Sequence, residues 1–391
     1  MKRLPLRTAL AAALLSTAVS VSAKNLVVCT EASPEGFDIV QFTTAVTADA
    51  SAETILNRLA DFAPGSTDVE PALAERWDIS PDGLEYTFYL RPGVKFHSTD
   101  YFKPTRNLNA DDVIWSFQRQ LDPNHPWHKL SLVGYPYFES MGFKNLLKSV
   151  EKVDDMTVKI TLNHPEAPFL RDVAMPFNSI YSAEYADQLL KSGKTADLNN
   201  KPIGTGPFIF VRYNKDAQVR FKANPDYFRG KPPSDNLIFA IATDSNVRLQ
   251  KLKANECQIA LYPKPDDVKN IRKDSNLKVD ELAALMTSYI AMNTSHKYLS
   301  DVRVRKAIDM AFDKQTYLNS VHGEGNALLA INPYPPTMLG YNTSIPRPPR
   351  DLDKARALLK EAGVPEGTVL TLFTRNGGGP TNPNPTLGAQ L

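Results

Sequence analysis

An excess of charge of one sign is the first thing this sequence lacks. Its 391 residues carry 45 Lys+Arg against 43 Asp+Glu. No basic surplus exists to draw the chain onto a nucleic acid. Past residue 21 there is no apolar run long enough for a membrane helix, which needs about 20 residues. Cysteine is nearly absent, with only Cys29 and Cys257. Catalytic signatures are equally thin. Ser149-Val150-Glu151-Lys152 and Ser275-Asn276-Leu277-Lys278 fit S-x-x-K, and Ser234-Asp235-Asn236 fits S-D-N. No K-T-G follows, however, so a secreted serine hydrolase is only a remote alternative. Gly377-Gly378-Gly379-Pro380 lacks the G-K-[ST] of a phosphate loop, and Pro380 removes a backbone donor. His125-Pro126-Trp127-His128 pairs two imidazoles across a proline with no flanking Cys or carboxylate cluster, which reads as a surface loop. No metal, cofactor or enzymatic activity is expected.

The N-terminus has the pattern of a secretory signal. Lys2, Arg3 and Arg7 form a basic region, Ala9–Val21 is apolar, and Val21-Ser22-Ala23 fits a small-x-small cleavage site. Removing residues 1–23 leaves 42 Lys+Arg against 43 Asp+Glu, a net charge of −1. An exported chain meets an oxidising compartment, where an isolated cysteine pair reads as a disulfide; two buried reduced thiols are the alternative.

Between Pro71 and Arg119 local signals follow in a clear order. Ser80-Pro81-Asp82-Gly83 fits a type I turn, Tyr86–Leu90 alternates as a strand does, and Asn109 caps a helix with Asp111 and Asp112 in its first turn. Val113, Phe117 and Leu121 share one face of that helix. Further strands are expected at Thr157–Leu162, Phe208–Tyr213, Gln218–Ala223, Leu237–Ala242 and Ser288–Asn293. Helices are expected at Asp301–Leu318 and Asp353–Ala362, the latter closed by Gly363 and Pro365. Gly204-Thr205-Gly206-Pro207 reads as a tight turn between lobes, and Ile331–Arg350 as a proline-rich surface loop. Strands changing partners among helices imply mixed α/β lobes.

Six stretches, taken in order, resemble one family. They are Cys29–Thr44, Phe102–Arg119, Asn163–Met175, Lys201–Phe208, Lys251–Gln258 and Asp301–Lys314, and the matches cover nearly all of residues 24–391. The chain is similar to the periplasmic solute-binding proteins that serve dipeptide and oligopeptide ABC importers, family 5, and most to the dipeptide-binding branch. The resemblance implies an α/β fold of type II, a two-lobed clamp with mixed sheets. Residues 24–281 would form the first lobe, with a subdomain at about 57–205, and residues 282–391 the start of an incomplete second lobe. Members continue past residue 391, so a truncated second lobe is expected. The family's Pro-Gly at the lobe crossing is Ala283-Ala284 here.

The resemblance also implies a short peptide as ligand, an inner-membrane ABC permease complex as partner, a monomer, the Gram-negative periplasm as location, and a bridge between Cys29 and Cys257. Thr43 falls at a ligand-contact position of the family. Where the family's carboxylate-binding arginine stands this chain has Gly379, and Arg375 is the nearby cation. Thr381 replaces a tyrosine. The acid that anchors the peptide amine would lie beyond Leu391. These departures leave haem, glutathione or antimicrobial peptides as alternative ligands on the same fold.

Overall fold

The computed structural model describes residues 24–131, 133–282, 285–336, 338, 340–374 and 382–391. The expected signal segment, Ala283-Ala284, Arg375, Gly379 and Thr381 lie outside the described residues.

Eleven strands among the described residues form three sheets. They are β1 (Asn25–Thr30), β2 (Ala60–Phe62), β3 (Val69–Pro71), β4 (Ala74–Ile79), β5 (Glu85–Leu90), β6 (Leu147–Asp154), β7 (Thr157–Leu162), β8 (Phe208–Asn214), β9 (Gln218–Ala223), β10 (Asn236–Ile241) and β11 (Ile259–Ala260). The largest sheet has the order β11-β1-β10-β9-β8. In it β1 runs parallel to β10 and β11, while β9 is antiparallel to β10 and to β8. An antiparallel four-stranded sheet has the order β4-β5-β7-β6, and β2 and β3 pair separately.

The strands form where alternate residues can be buried. In β9 the buried residues are Val219, Phe221 and Ala223; in β5 they are Tyr86, Phe88 and Leu90. The turn before β5 closes with Gly83 N donating to Ser80 O at 2.9 Å, and Gly83 has φ +70°. Helix Ala110–Leu121 begins at a capping box: the Asn109 side chain accepts from Asp111 N, and Asp112 Oδ2 accepts from Asn109 N at 3.0 Å. Buried Asp112 also takes the Arg106 guanidinium, at 2.6 and 2.9 Å. Val113 and Phe117 seat this helix in a core that runs without interruption from Val28 to Phe239.

Three expectations need correction. The helix expected over Asp301–Leu318 is two helices, Val302–Ala311 and Lys314–His322. Phe312 is extended (φ −70°, ψ 123°), and the Asp313 side chain caps the second helix by accepting from Thr316 N. An aspartate that can cap thus interrupts an apolar stripe that could have continued. Ser288–Asn293 belongs to no strand; Tyr289 is 81% exposed. A strand needs an edge to pair with, and apolar alternation alone does not supply one.

The third concerns Gly204-Thr205-Gly206-Pro207, which is buried against Thr54–Asn57 rather than set between lobes. A Cβ on Gly204 would lie 2.1 Å from Ile55 O, and one on Gly206 2.6 Å from the same oxygen. Gly206 N donates to Ile55 O at 2.8 Å, and Thr205 Oγ1 to Asn57 Oδ1 at 2.9 Å. His97 Nε2 lies 2.9 Å from Gly206 O, so it carries the ring proton. Burial, the largest influence, pushes His97 down to about 4; the bond to Gly206 opposes this and Lys222 adds to it. The ring is neutral at pH 7.

Candidate ligand-binding site

Because β10, β1 and β11 are parallel, their carboxyl ends share one edge of the sheet, the edge at which open α/β sheets bind ligands. Arg248 ties two of these ends together. Its guanidinium donates to the carbonyls of Ala242, Thr243, Leu261 and Tyr262 at 2.6 to 3.1 Å. The Cys29–Cys257 disulfide, with both residues buried and their Cα atoms 5.8 Å apart, fixes β1 to the turn before β11.

From the end of β1 the chain makes an irregular loop, a short 3₁₀ turn at Ile39–Gln41, and then helix Ala45–Ala50. Such a loop must find partners for its backbone, and this one does. Asn199 Oδ1 accepts from Phe37 N at 2.8 Å and from Asp38 N at 2.9 Å. Gly36 allows that approach, since a Cβ there would sit 2.2 Å from the same oxygen. Thr47 Oγ1 accepts from Glu35 N at 2.9 Å, and Thr44 Oγ1 donates to Glu35 Oε1 at 2.7 Å. Asp38 pairs with Arg119 at 2.6 Å, both fully buried. Thr43 stands exposed between the 3₁₀ turn and the helix.

The site edge carries acidic groups. Glu31 follows β1, and Asp49 is pushed up to about 6, first by burial and then by Glu31 and Glu53. Tyr262 is raised by burial and by Glu31 and Asp49. A half-buried carboxyl beside two others holds its proton more readily than a free aspartate. Arg248 faces Glu31 at the same strand ends, so this edge carries charge of both signs.

The other candidate residues are scattered. Ser149 and Lys152 lie three apart in β6 and so face opposite sides of the sheet. Lys152 binds Asp111 and Asp155. Lys278 pairs with Asp280, and Asp235 with Lys231. In the His125–His128 stretch, expected to be a surface loop, Trp127 is buried against Trp115. His128 Nδ1 meets Arg119 O, while His125 Nδ1 accepts from Trp127 N. No cluster of three or more potential metal ligands occurs among the described residues.

Asp38, Asn199, Arg119 and Asp49 were not foreseen as site residues. One signal did exist. Asp112, Ser116, Arg119 and Gln120 are spaced i, i+4, i+7, i+8, a polar stripe on the buried side of a helix. Nothing in the sequence, however, links Arg119 to Asp38, 81 positions away.

A mixed sheet whose parallel strands open onto a hydrogen-bonded loop makes this an α/β protein, and the solved structures it resembles include peptide-binding proteins. The family can be stated more narrowly. The model for "Bacterial extracellular solute-binding proteins, family 5 Middle" matches residues 68–387, and the chain belongs to that family. It is 66% identical over 391 residues to di/tripeptide-binding protein 4 of Pseudomonas aeruginosa, covering 100% of this chain and 73% of that protein. Haem-binding protein A of Haemophilus influenzae is 46% identical over 374 residues, 96% of this chain and 68% of that protein. The dipeptide-binding protein of Pseudoalteromonas sp. SM9913, solved with Met-Leu, superimposes with a TM-score of 0.89 at 33% identity, covering 94% of this chain and 72% of that one.

Proposed function

We propose that this chain is the periplasmic substrate-binding component of an ABC importer and takes up dipeptides or other short peptides. The observation that carries this reading is its likeness to a di/tripeptide-binding protein along its whole length. Thr43, exposed on the loop that follows β1, is our candidate ligand contact there. Arg375 is our candidate for the α-carboxylate, with Thr381 beside the ligand. The partners are a short peptide and an inner-membrane ABC permease, the protein acts as a monomer after its signal segment is cleaved, and no covalent chemistry is involved. Residues 24–281 make up the first lobe, with a subdomain at about 57–205, and residues 282–391 open the second.

Calorimetric titration of the full-length protein with a dipeptide panel tests the reading. Arg375→Ala should weaken free dipeptides by roughly thirty- to several-thousand-fold, the effect of removing one member of a buried charge pair, and hardly alter C-terminally amidated ones. Equal losses for both would remove Arg375 from the site. The likeness to a haem-binding protein supports a second reading, haem in place of peptide. Haemin binding without dipeptide binding in the same titrations would favour it.

A further inference from the structure

We infer that Arg119, acting through its ion pair with Asp38, is the positioning residue for the loop that carries Thr43; this rests on the peptide-binding reading of that loop. The pair is closed to water, with side-chain exposures of 1% and 3% and a 2.6 Å contact. Trp115, Tyr135 and Tyr181 surround the guanidinium, their ring centroids 5.1, 5.8 and 5.1 Å from Arg119 Cζ. A buried ion pair is a poor source of stability, because apolar residues of the same volume commonly do as well. What it supplies is direction.

Asp38 is the junction of the loop. Its carbonyl accepts from Gln41 N at 3.0 Å, and its Oδ2 accepts from Gln41 Nε2 at 2.6 Å. Gln41 Oε1 in turn accepts from Ser131 Oγ at 3.1 Å. On the opposite side Asn199 holds the amides of Phe37 and Asp38. The carboxylate is thus fixed by Arg119 and the backbone by Asn199, and Thr43 follows five residues later. A helix from the subdomain side thereby sets where a ligand-facing residue stands.

The test is a coupling measurement on the full-length protein with the dipeptide Met-Leu. Asp38→Asn together with Arg119→Gln removes both charges while leaving a hydrogen-bonding side chain at each position. We expect at least tenfold weaker binding with the fold retained by near-UV circular dichroism and thermal unfolding. Thr43→Val should cost about fivefold in the wild type, the effect of one lost hydrogen bond. On the neutral-pair background it should cost less than twofold, a coupling that a purely structural role would not produce. Wild-type affinity in the neutral pair, or an equal Thr43→Val effect in both backgrounds, overturns the positioning role while dipeptide binding stands. A wild type that binds no Met-Leu overturns both readings. If the neutral pair unfolds, Arg119→Lys carries the same comparison: weakened binding with lost coupling supports the role, and full coupling at wild-type affinity overturns it.

Discussion

Residues 24–281 and residues 285–391 follow the same local rules with different results. In the first region all eleven strands find partners, and one core runs from Val28 to Phe239. In the second, helices Val302–Ala311 and Leu352–Glu361 pack together and bury Val304, Ala307 and Ala355, while Tyr289, Leu328, Val369 and Phe373 are 79–90% exposed. Helices carry their hydrogen bonds within themselves, and capping aspartates start them: Asp301, Asp313 and Asp351 each accept from a first-turn amide. Strands carry theirs between segments. Among the described residues, then, capped helices dominate the second region, whereas pairing between distant strands holds the first.

The comparison would break most clearly at the disulfide. Replacing Cys29 and Cys257 with serine should lower the stability of the first region by roughly 2–5 kcal/mol, because a bridge across 228 residues restricts the unfolded chain. Urea unfolding followed by hydrogen exchange should show lost protection in β1, β10 and β11 and none in Leu352–Glu361. Equal loss in both regions would mean that they unfold as one.

Titration sharpens it next, since His97 and Asp49 both lie in the first region. His97 falls from 6.5 to about 4 on folding, so the native state binds fewer protons and stability is lost as pH drops from about 6.5 towards 4. Asp49 rises from 3.8 to about 6, so the native state binds more protons and stability is lost as pH climbs from about 4 to 6. The two effects oppose each other, each on the order of 2–3 kcal/mol. His97→Asn should remove the acid-side loss, and Asp49→Asn the loss on rising pH. Urea midpoints measured from pH 4 to 7 would show this, and unchanged profiles would contradict it.

The smallest effect belongs to the caps. Asn109→Ala and Asp351→Ala should each cost about 1 kcal/mol. Asn109→Ala should lower the global midpoint of the first region, because its helix is sealed into the continuous core. Asp351→Ala should instead raise exchange about fivefold in the first turn of Leu352–Glu361 and leave that midpoint unchanged.

The sequence could be read wherever a signal was short-range. The turn at Ser80–Gly83, the Asn109 cap, the helix ended by Gly363 and five of the six expected strands are complete within a few residues. The cysteine pair could be read because only one pairing was possible. At the candidate site, Thr43 was proposed only through family resemblance. Asp38, Asn199 and Arg119 were not, because each has its meaning in a partner 81 to 161 positions away.

By itself, then, the amino-acid sequence determined turns, caps and most of the alternating strands, since their energies are summed over neighbouring residues. The tertiary structure decided which strands pair, why Ser288–Asn293 is not one of them, that Gly204 and Gly206 press against Ile55, and that a buried guanidinium holds the loop at the sheet edge. Those outcomes depend on burial and on hydrogen bonds between distant segments, and their geometry does not exist until the chain has folded.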